Sequence, residues 1–142
     1  MKVLLAVDGS AYTKRMLAWL MTHEEWLSGD SQFTLLTVVP PLPPDALQWI
    51  EQEDLKEYYA AQSERIFKPI RKFLARHDVS TRYVSKVGYA PDIISQMAQG
   101  KKEHVDLLVM GSHGRGALSG LVMGSVATRV LAGCKTPVLL IR

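Results

Sequence analysis

A single cysteine, Cys134, leaves the chain without a partner for an internal disulfide and without a cysteine set for a metal. It lies just past an expected helix end, where packing is its ordinary role. No apolar run approaches the roughly 20 residues that a membrane helix needs, so no membrane partner is expected. Met1-Lys2 leads straight into a short strand, with none of the zones of a signal peptide, and the expected location is cytoplasmic. An excess of one charge is missing too: 17 basic residues stand against 14 acidic ones, a net +3, and the basic residues form no stripe. That argues against nucleic acid as a partner, whereas mild basicity suits a small anionic ligand. Hydrophobic residues at 47% and charged residues at 22% give the balance of a globular chain with a real core and argue against disorder. Residues 1–142 fit one domain.

What is present in quantity is glycine, and most of it in one place. Gly111-Ser-His-Gly-Arg-Gly-Ala-Leu-Ser-Gly-Leu-Val-Met-Gly-Ser125 holds five glycines between an apolar run, Val105 to Met110, that reads as a buried strand and a segment, Val126 to Ala132, that reads as a helix. A glycine-rich strand-to-helix junction suits a phosphate. Glycine lets backbone amides approach an anion with no Cβ in the way, and the helix start supplies unpaired N–H groups and a positive dipole end. Ser125 is placed to cap that helix or to offer its hydroxyl to a phosphate oxygen, and Arg115 adds charge from the loop.

Two familiar phosphate fingerprints fail here. A Walker loop needs lysine after its last glycine, and this stretch has none. Gly114, Gly116 and Gly120 have the wrong second gap for a dinucleotide loop and follow a late strand instead of the first. The spacing that does match is Gly111, two residues, Gly114, nine residues, Gly124, Ser125. With Met110, Gly116, Gly120 and the Pro137 to Ile141 ending, this resembles the nucleotide-binding signature of the universal stress protein family. The resemblance covers essentially the whole chain.

The other segments read as alternating strands and helices. Val3 to Val7 suits a central parallel strand, Asp8-Gly9-Ser10 ends it, and Ser10 is an N-cap for a helix carrying Tyr12, Met16, Trp19, Leu20 and His23 on one face. Asp8 has two open readings: it bonds the turn that follows, or it faces a ligand at the strand end. Ser28-Gly29-Asp30 is a turn, and Phe33 to Val39 is a second strand. Pro40, Pro41, Pro43 and Pro44 exclude regular structure after it. Ala46 to about His77 reads as one helix that Pro69 kinks or splits, with Glu51, Glu53, Asp54, Glu57 and Glu64 on a solvated face. Trp49, Tyr58 and Tyr59 read as core or rim packing. Ser80 to Lys86 is an edge strand, Pro91 opens a short helix that Gly100 ends, Gly133 stops the last helix and Pro137 starts the last strand.

This alternation gives an α/β fold with a doubly wound parallel sheet. The resemblance implies five strands in the order 3-2-1-4-5, Rossmann-like and similar to the adenine nucleotide alpha hydrolases. It also implies ATP as ligand, with adenine near Val38, Val39 and Gly88, and Asp8 beside Gly9 and Ser10 reaching the nucleotide directly or through its metal. Phosphates then sit on amides of Gly111, Ser112, Gly114, Gly124, Ser125 and Val126, near Met110 and His113, with Mg²⁺ carried by the phosphates and no protein metal cage. In that strand order the last strand is an uncharged apolar edge, which points to a homodimer through Pro137 to Ile141.

The function expected is therefore a regulatory adenine-nucleotide-binding module of the stress response, with no catalytic residue assigned. The alternative is slow ATP hydrolysis or phosphoryl transfer, for which Asp8 and His113 are the available acid or base groups and Arg115 the charge stabiliser. An adenylate-forming enzyme would carry a Ser-Gly-Gly-x-Asp-Ser or His-Ile-Gly-His motif, and neither occurs. A flavodoxin-like carrier would place a phosphate loop after the first strand, where Asp8 stands instead.

Overall fold

The computed structural model describes residues 1–23, 25, 30–77, 79–100, 104–116 and 123–142. Gly120 and the Ser28-Gly29 turn lie outside these residues. Five strands, β1 (Lys2–Ala6), β2 (Gln32–Val39), β3 (Thr81–Val87), β4 (Leu107–Gly111) and β5 (Val138–Ile141), form one sheet in the order β3-β2-β1-β4-β5. Every pairing is parallel, with Leu5 opposite Leu35 on one side and Val109 on the other. This is the parallel α/β sheet that the alternation of runs predicts, in the strand order that the resemblance implies.

Strands at the centre are apolar on both faces because helices cover both. Val3, Leu5 and Val7 point to one side, where Met16, Leu17 and Leu20 of α1 (Ala11–Met21) and Ile66, Phe67 and Ile70 of the long helix join Phe33 and Leu35 in one core cluster. Leu4 points to the other, with Leu36, Leu108 and Met110 against Ile94 and Ala98 and against Ala127 and Val130 of the two later helices. Leu35, Leu108 and Val109 are fully buried, and each such aliphatic side chain contributes about 1.5–3 kcal/mol. At the opposite end of β1, the Lys2 N–H donates to Asp106 Oδ2 at 2.7 Å and His104 Nε2 lies 2.8 Å from Oδ1. The backbone donor of Lys2 holds the Asp106 carboxyl below the usual carboxylate range.

The long helical run divides, but not at Pro69. A single turn, α2 (Pro44–Leu47), is followed by α3 (Gln52–Leu74), and Pro69 lies inside α3. Pro44 is tolerated at the first helical position, where a missing N–H costs nothing, so the proline run permits this one turn. The break comes at Glu51, whose extended backbone (φ −69°, ψ 154°) restarts the helix with Glu53 and Asp54 in its first turn. Pro69 is exposed, so the carbonyl it leaves unpaired reaches water, while Ser63, Ile66, Phe67, Ile70 and Leu74 stay buried on both sides of it. Continuous packing on one face outweighs the proline. Trp49 is 87% exposed and does not pack in the core, whereas the Tyr59 hydroxyl accepts from the Leu42 N–H at 3.0 Å and ties the proline loop to α3.

The remaining elements are α4 (Ala90–Ala98), with Pro91 in its first turn, and α5 (Ser125–Gly133), closed by Cys134. Pro69→Ala restores the missing backbone bond on a solvent face, and we expect it to stabilise the protein by about 1–2 kcal/mol. Urea denaturation measures this directly; an unchanged or lower midpoint contradicts the account of α3.

Candidate functional site

The strand order reverses direction at β1, from which the chain first builds outward through β2 and β3 and later through β4 and β5. In open parallel sheets the crevice beyond the strand ends at such a point is where ligands bind. Here it holds a cavity of about 410 Å³, lined by the ends of β1, β2 and β4 and the starts of α4 and α5. That volume falls in the range of about 300–1,000 Å³ typical of small-molecule sites. Its lining is apolar at Ala6, Leu36, Val38, Ile94 and Met110 and polar at Asp8, His113, Gly114, Arg115, Gly124 and Ser125.

The glycine stretch is held to the sheet by two backbone bonds. The Ser112 N–H donates to the Ile141 carbonyl at 2.8 Å, and after the loop the Gly124 N–H donates to the Ser112 carbonyl at 2.8 Å. These two amides are therefore engaged by the protein, which corrects the reading of both as phosphate donors. Thr128 N–H to Gly124 O, at 3.0 Å, is the first bond of α5, so the amides of Ser125, Val126 and Ala127 precede the helical ladder, and all three residues line the cavity. Ser125 does not cap the helix; Gly124 is the N-cap and offers no side chain, which leaves the Ser125 hydroxyl exposed at the cavity.

The glycines serve contacts within the protein. A Cβ on Gly111 would stand 2.7 Å from Tyr12 Cβ, and one on Gly124 would stand 3.1 Å from His113 Cα and 3.2 Å from the Ser112 carbonyl. A Cβ on Gly114 would stand 2.8 Å from Asp8 Oδ2. Valine at Gly114 or Gly124 would push on the Asp8 carboxylate or on backbone that cannot yield, so such variants disturb the loop itself as well as any ligand.

Asp8 realises the first of its two readings and still faces the cavity. Its Oδ1 accepts from the Ser10 N–H at 2.9 Å and from the Thr13 hydroxyl at 2.8 Å, and Thr13 Oγ1 accepts from the Asp8 N–H at 3.1 Å. Ser10 caps α1, accepting from the Thr13 N–H. Across the cavity, Asp8 Oδ2 accepts from the Arg115 N–H at 3.1 Å, and Arg115 Nε donates to the Asp8 carbonyl. His113 places Nδ1 3.0 Å from Ser112 Oγ and packs its ring on Tyr12, with centroids 5.0 Å apart.

The structure thus gathers Asp8, Val38, Met110, Gly111, His113, Gly114, Arg115, Gly124, Ser125 and Val126 around one cavity, and it does not bring in all of the expected residues. Gly9, Ser10, Val39, Gly88 and Ser112 do not line it. The Gly88 N–H donates to the Val39 carbonyl at 3.0 Å, its φ is +148°, and a Cβ there would stand 2.7 Å from Ile93 Cδ1. Internal packing and backbone conformation account for that glycine. Thr13, Leu36, Ile94 and Ala127 are lining residues that the sequence reading did not mark. Thr13 had a local signal, a hydroxyl three residues after the N-cap and five after a strand-end aspartate; the others look like ordinary core positions. Among the described residues no group of three or more His, Cys, Asp or Glu side chains is placed to hold a metal ion.

Comparison with known proteins bears on the family and the fold. The model of the Universal stress protein family matches residues 1–142. A universal stress protein of Thermus aquaticus is 30% identical over 141 residues, covering 99% of this chain and 97% of the relative. Among solved structures, MJ0577 of Methanocaldococcus jannaschii superposes with a TM-score of 0.82 at 24% identity, covering 99% of this chain and 94% of the other. A family protein of Arabidopsis thaliana with AMP bound gives 0.68 at 21%, covering 99% and 90%. One of Archaeoglobus fulgidus in complex with dAMP gives 0.69 at 19%, covering 100% and 98%. A universal stress protein in complex with cAMP gives 0.68 at 20%, covering 100% and 97%. With the family model matched along the whole chain and a relative of nearly equal length, this protein belongs to the universal stress protein family.

Proposed function

We propose that the chain, as one domain over residues 1–142, binds an adenine nucleotide, ATP with Mg²⁺, in the cavity between β1, β2, β4 and α5, and acts in the cytoplasm as a regulatory module of the stress response. One observation carries the reading: a single cavity is lined both by the apolar side chains of Val38, Leu36 and Met110 and by the first turn of a helix. A base fits the first and a phosphate the second, where the amides of Ser125, Val126 and Ala127 meet the positive end of the helix dipole. Three structural neighbours hold AMP, dAMP and cAMP, which supports adenine as the base.

The donor set bears on Mg²⁺. Among the described residues Asp8 is the one carboxylate lining the cavity, so a cation here would keep water and phosphate oxygens as most of its ligands, as Mg²⁺ does. That chemistry is charge neutralisation. Binding regulates by differential affinity for two conformations or assemblies of the chain. Hydrolysis is the weaker reading, because the Asp8 carboxylate already accepts from Ser10, Thr13 and Arg115.

We also propose a homodimer. β5 is an edge strand paired only with β4 on one side, and its Val138, Leu139 and Leu140 are half-buried with no charged residue among them. A second copy of the strand covers such an edge at no cost in new polar burial. Analytical ultracentrifugation is expected to give twice the chain mass; a monomer at micromolar concentration contradicts this.

For the ligand, calorimetric titration with ATP and Mg²⁺ is expected to show one site per chain. Val38→Phe adds bulk at the apolar lining and is expected to weaken binding about tenfold or more, or ~1.4 kcal/mol, with little change in thermal midpoint. A wild-type protein that takes up no adenine nucleotide at millimolar concentration contradicts the proposal.

A further inference from the structure

The cavity has a narrow supply of charge. Among the described residues that line it, Arg115 is the one permanent cation and Asp8 the one carboxylate, and they are bonded to each other. The backbone bond from the Arg115 N–H to Asp8 Oδ2, at 3.1 Å, fixes the root of the arginine. Its guanidinium lies over the turn after β1: Nε donates to the Asp8 carbonyl, and a terminal nitrogen is 3.4 Å from where a Gly9 Cβ would stand. The residue is nevertheless exposed, so the guanidinium can leave that carbonyl at the cost of one hydrogen bond that water replaces.

Phosphates meet two different environments here. Next to α5 the donors are neutral amides at a helix start, enough for one phosphate. Gly114 separates that helix start from Asp8: a Cβ on Gly114 would be 2.8 Å from Asp8 Oδ2, and the Gly114 nitrogen is 3.8 Å from the Gly124 Cβ position. A chain of two or three phosphates that grows past Gly114 therefore brings its added negative charge toward a carboxylate. Among the described lining residues, only the Arg115 side chain opposes that repulsion with a permanent charge.

Resting on the adenine-nucleotide reading above, we propose that Arg115 sets how many phosphates the site accepts. The α5 amides hold the first phosphate, and the guanidinium exchanges the Asp8 carbonyl for the second and third. Its backbone bond to Asp8 persists as the pivot. In this arrangement Arg115 discriminates ATP and ADP from AMP and contributes little to the affinity for AMP itself.

The test is calorimetric titration of the full chain with AMP, ADP and ATP, each with Mg²⁺ and with a chelator, for the wild type, Arg115→Gln and Arg115→Lys. Loss of charge-assisted bonds to phosphate is expected to weaken ATP binding by Arg115→Gln roughly tenfold to a hundredfold, with AMP changed by less than about threefold. Arg115→Lys is expected to recover part of the ATP affinity, because charge returns without the planar fork. Retained AMP binding in Arg115→Gln also shows that the site is folded. An equal loss for all three nucleotides, or no loss for any, overturns the role of Arg115 while the wild type still binds. A wild type that binds none of the three overturns the parent reading instead.

Discussion

The hydrogen bond from the Gly124 N–H to the Ser112 carbonyl decides where α5 begins, and much of the site follows from it. It closes the long excursion after β4 by returning the chain to the residue that left the sheet. That return is possible because Gly124 has no Cβ to strike His113 and Ser112. Ser112 is itself fixed by its bond to Ile141 at the end of β5, so the helix start is referenced to the sheet through two bonds. For the nucleotide proposed above, a helix N-terminus held in this way needs no ordering when a phosphate arrives.

A second closure, between Asp8 and Arg115, works across the same cavity from the other side. Asp8 gathers donors from its own turn, Ser10 and Thr13, and one from the distant loop, Arg115. The first βα turn and the glycine stretch are thereby locked to each other, although 107 positions separate them. Asp8, Ser10, Thr13 and Arg115 are bonded to one another here, whereas the amides of the α5 first turn precede the helical ladder.

The sheet was legible because its information is local. Val3 to Val7, Phe33 to Val39 and Val138 to Ile141 are apolar runs bounded by turn residues, and runs of that kind fit only strands covered on both faces. The position of the cavity was legible for the same reason, since strand ends and a glycine-rich helix start are sequence features. What escaped depends on contacts between distant segments. Pro69 was expected to kink or split its helix, and with Ile66, Phe67 and Ile70 packed in the core that helix runs through it without a split. Gly88 was assigned to a ligand when its neighbour is Ile93, and the reasons for Gly111 and Gly114 lie in Tyr12 and Asp8. Ser112 and Gly124 were counted as phosphate donors because nothing in their order reveals that their amides reach Ile141 and each other.

Amide NMR during titration with AMP tests the central claim most directly, because it reads each backbone N–H separately. The account predicts large shifts at Gly114, Ser125, Val126 and Ala127, with smaller ones at Ala6 and Val38, and protected, little-changed amides at Ser112 and Gly124. Shifts concentrated elsewhere, or none at saturating AMP, would contradict a phosphate seated on the first turn of α5.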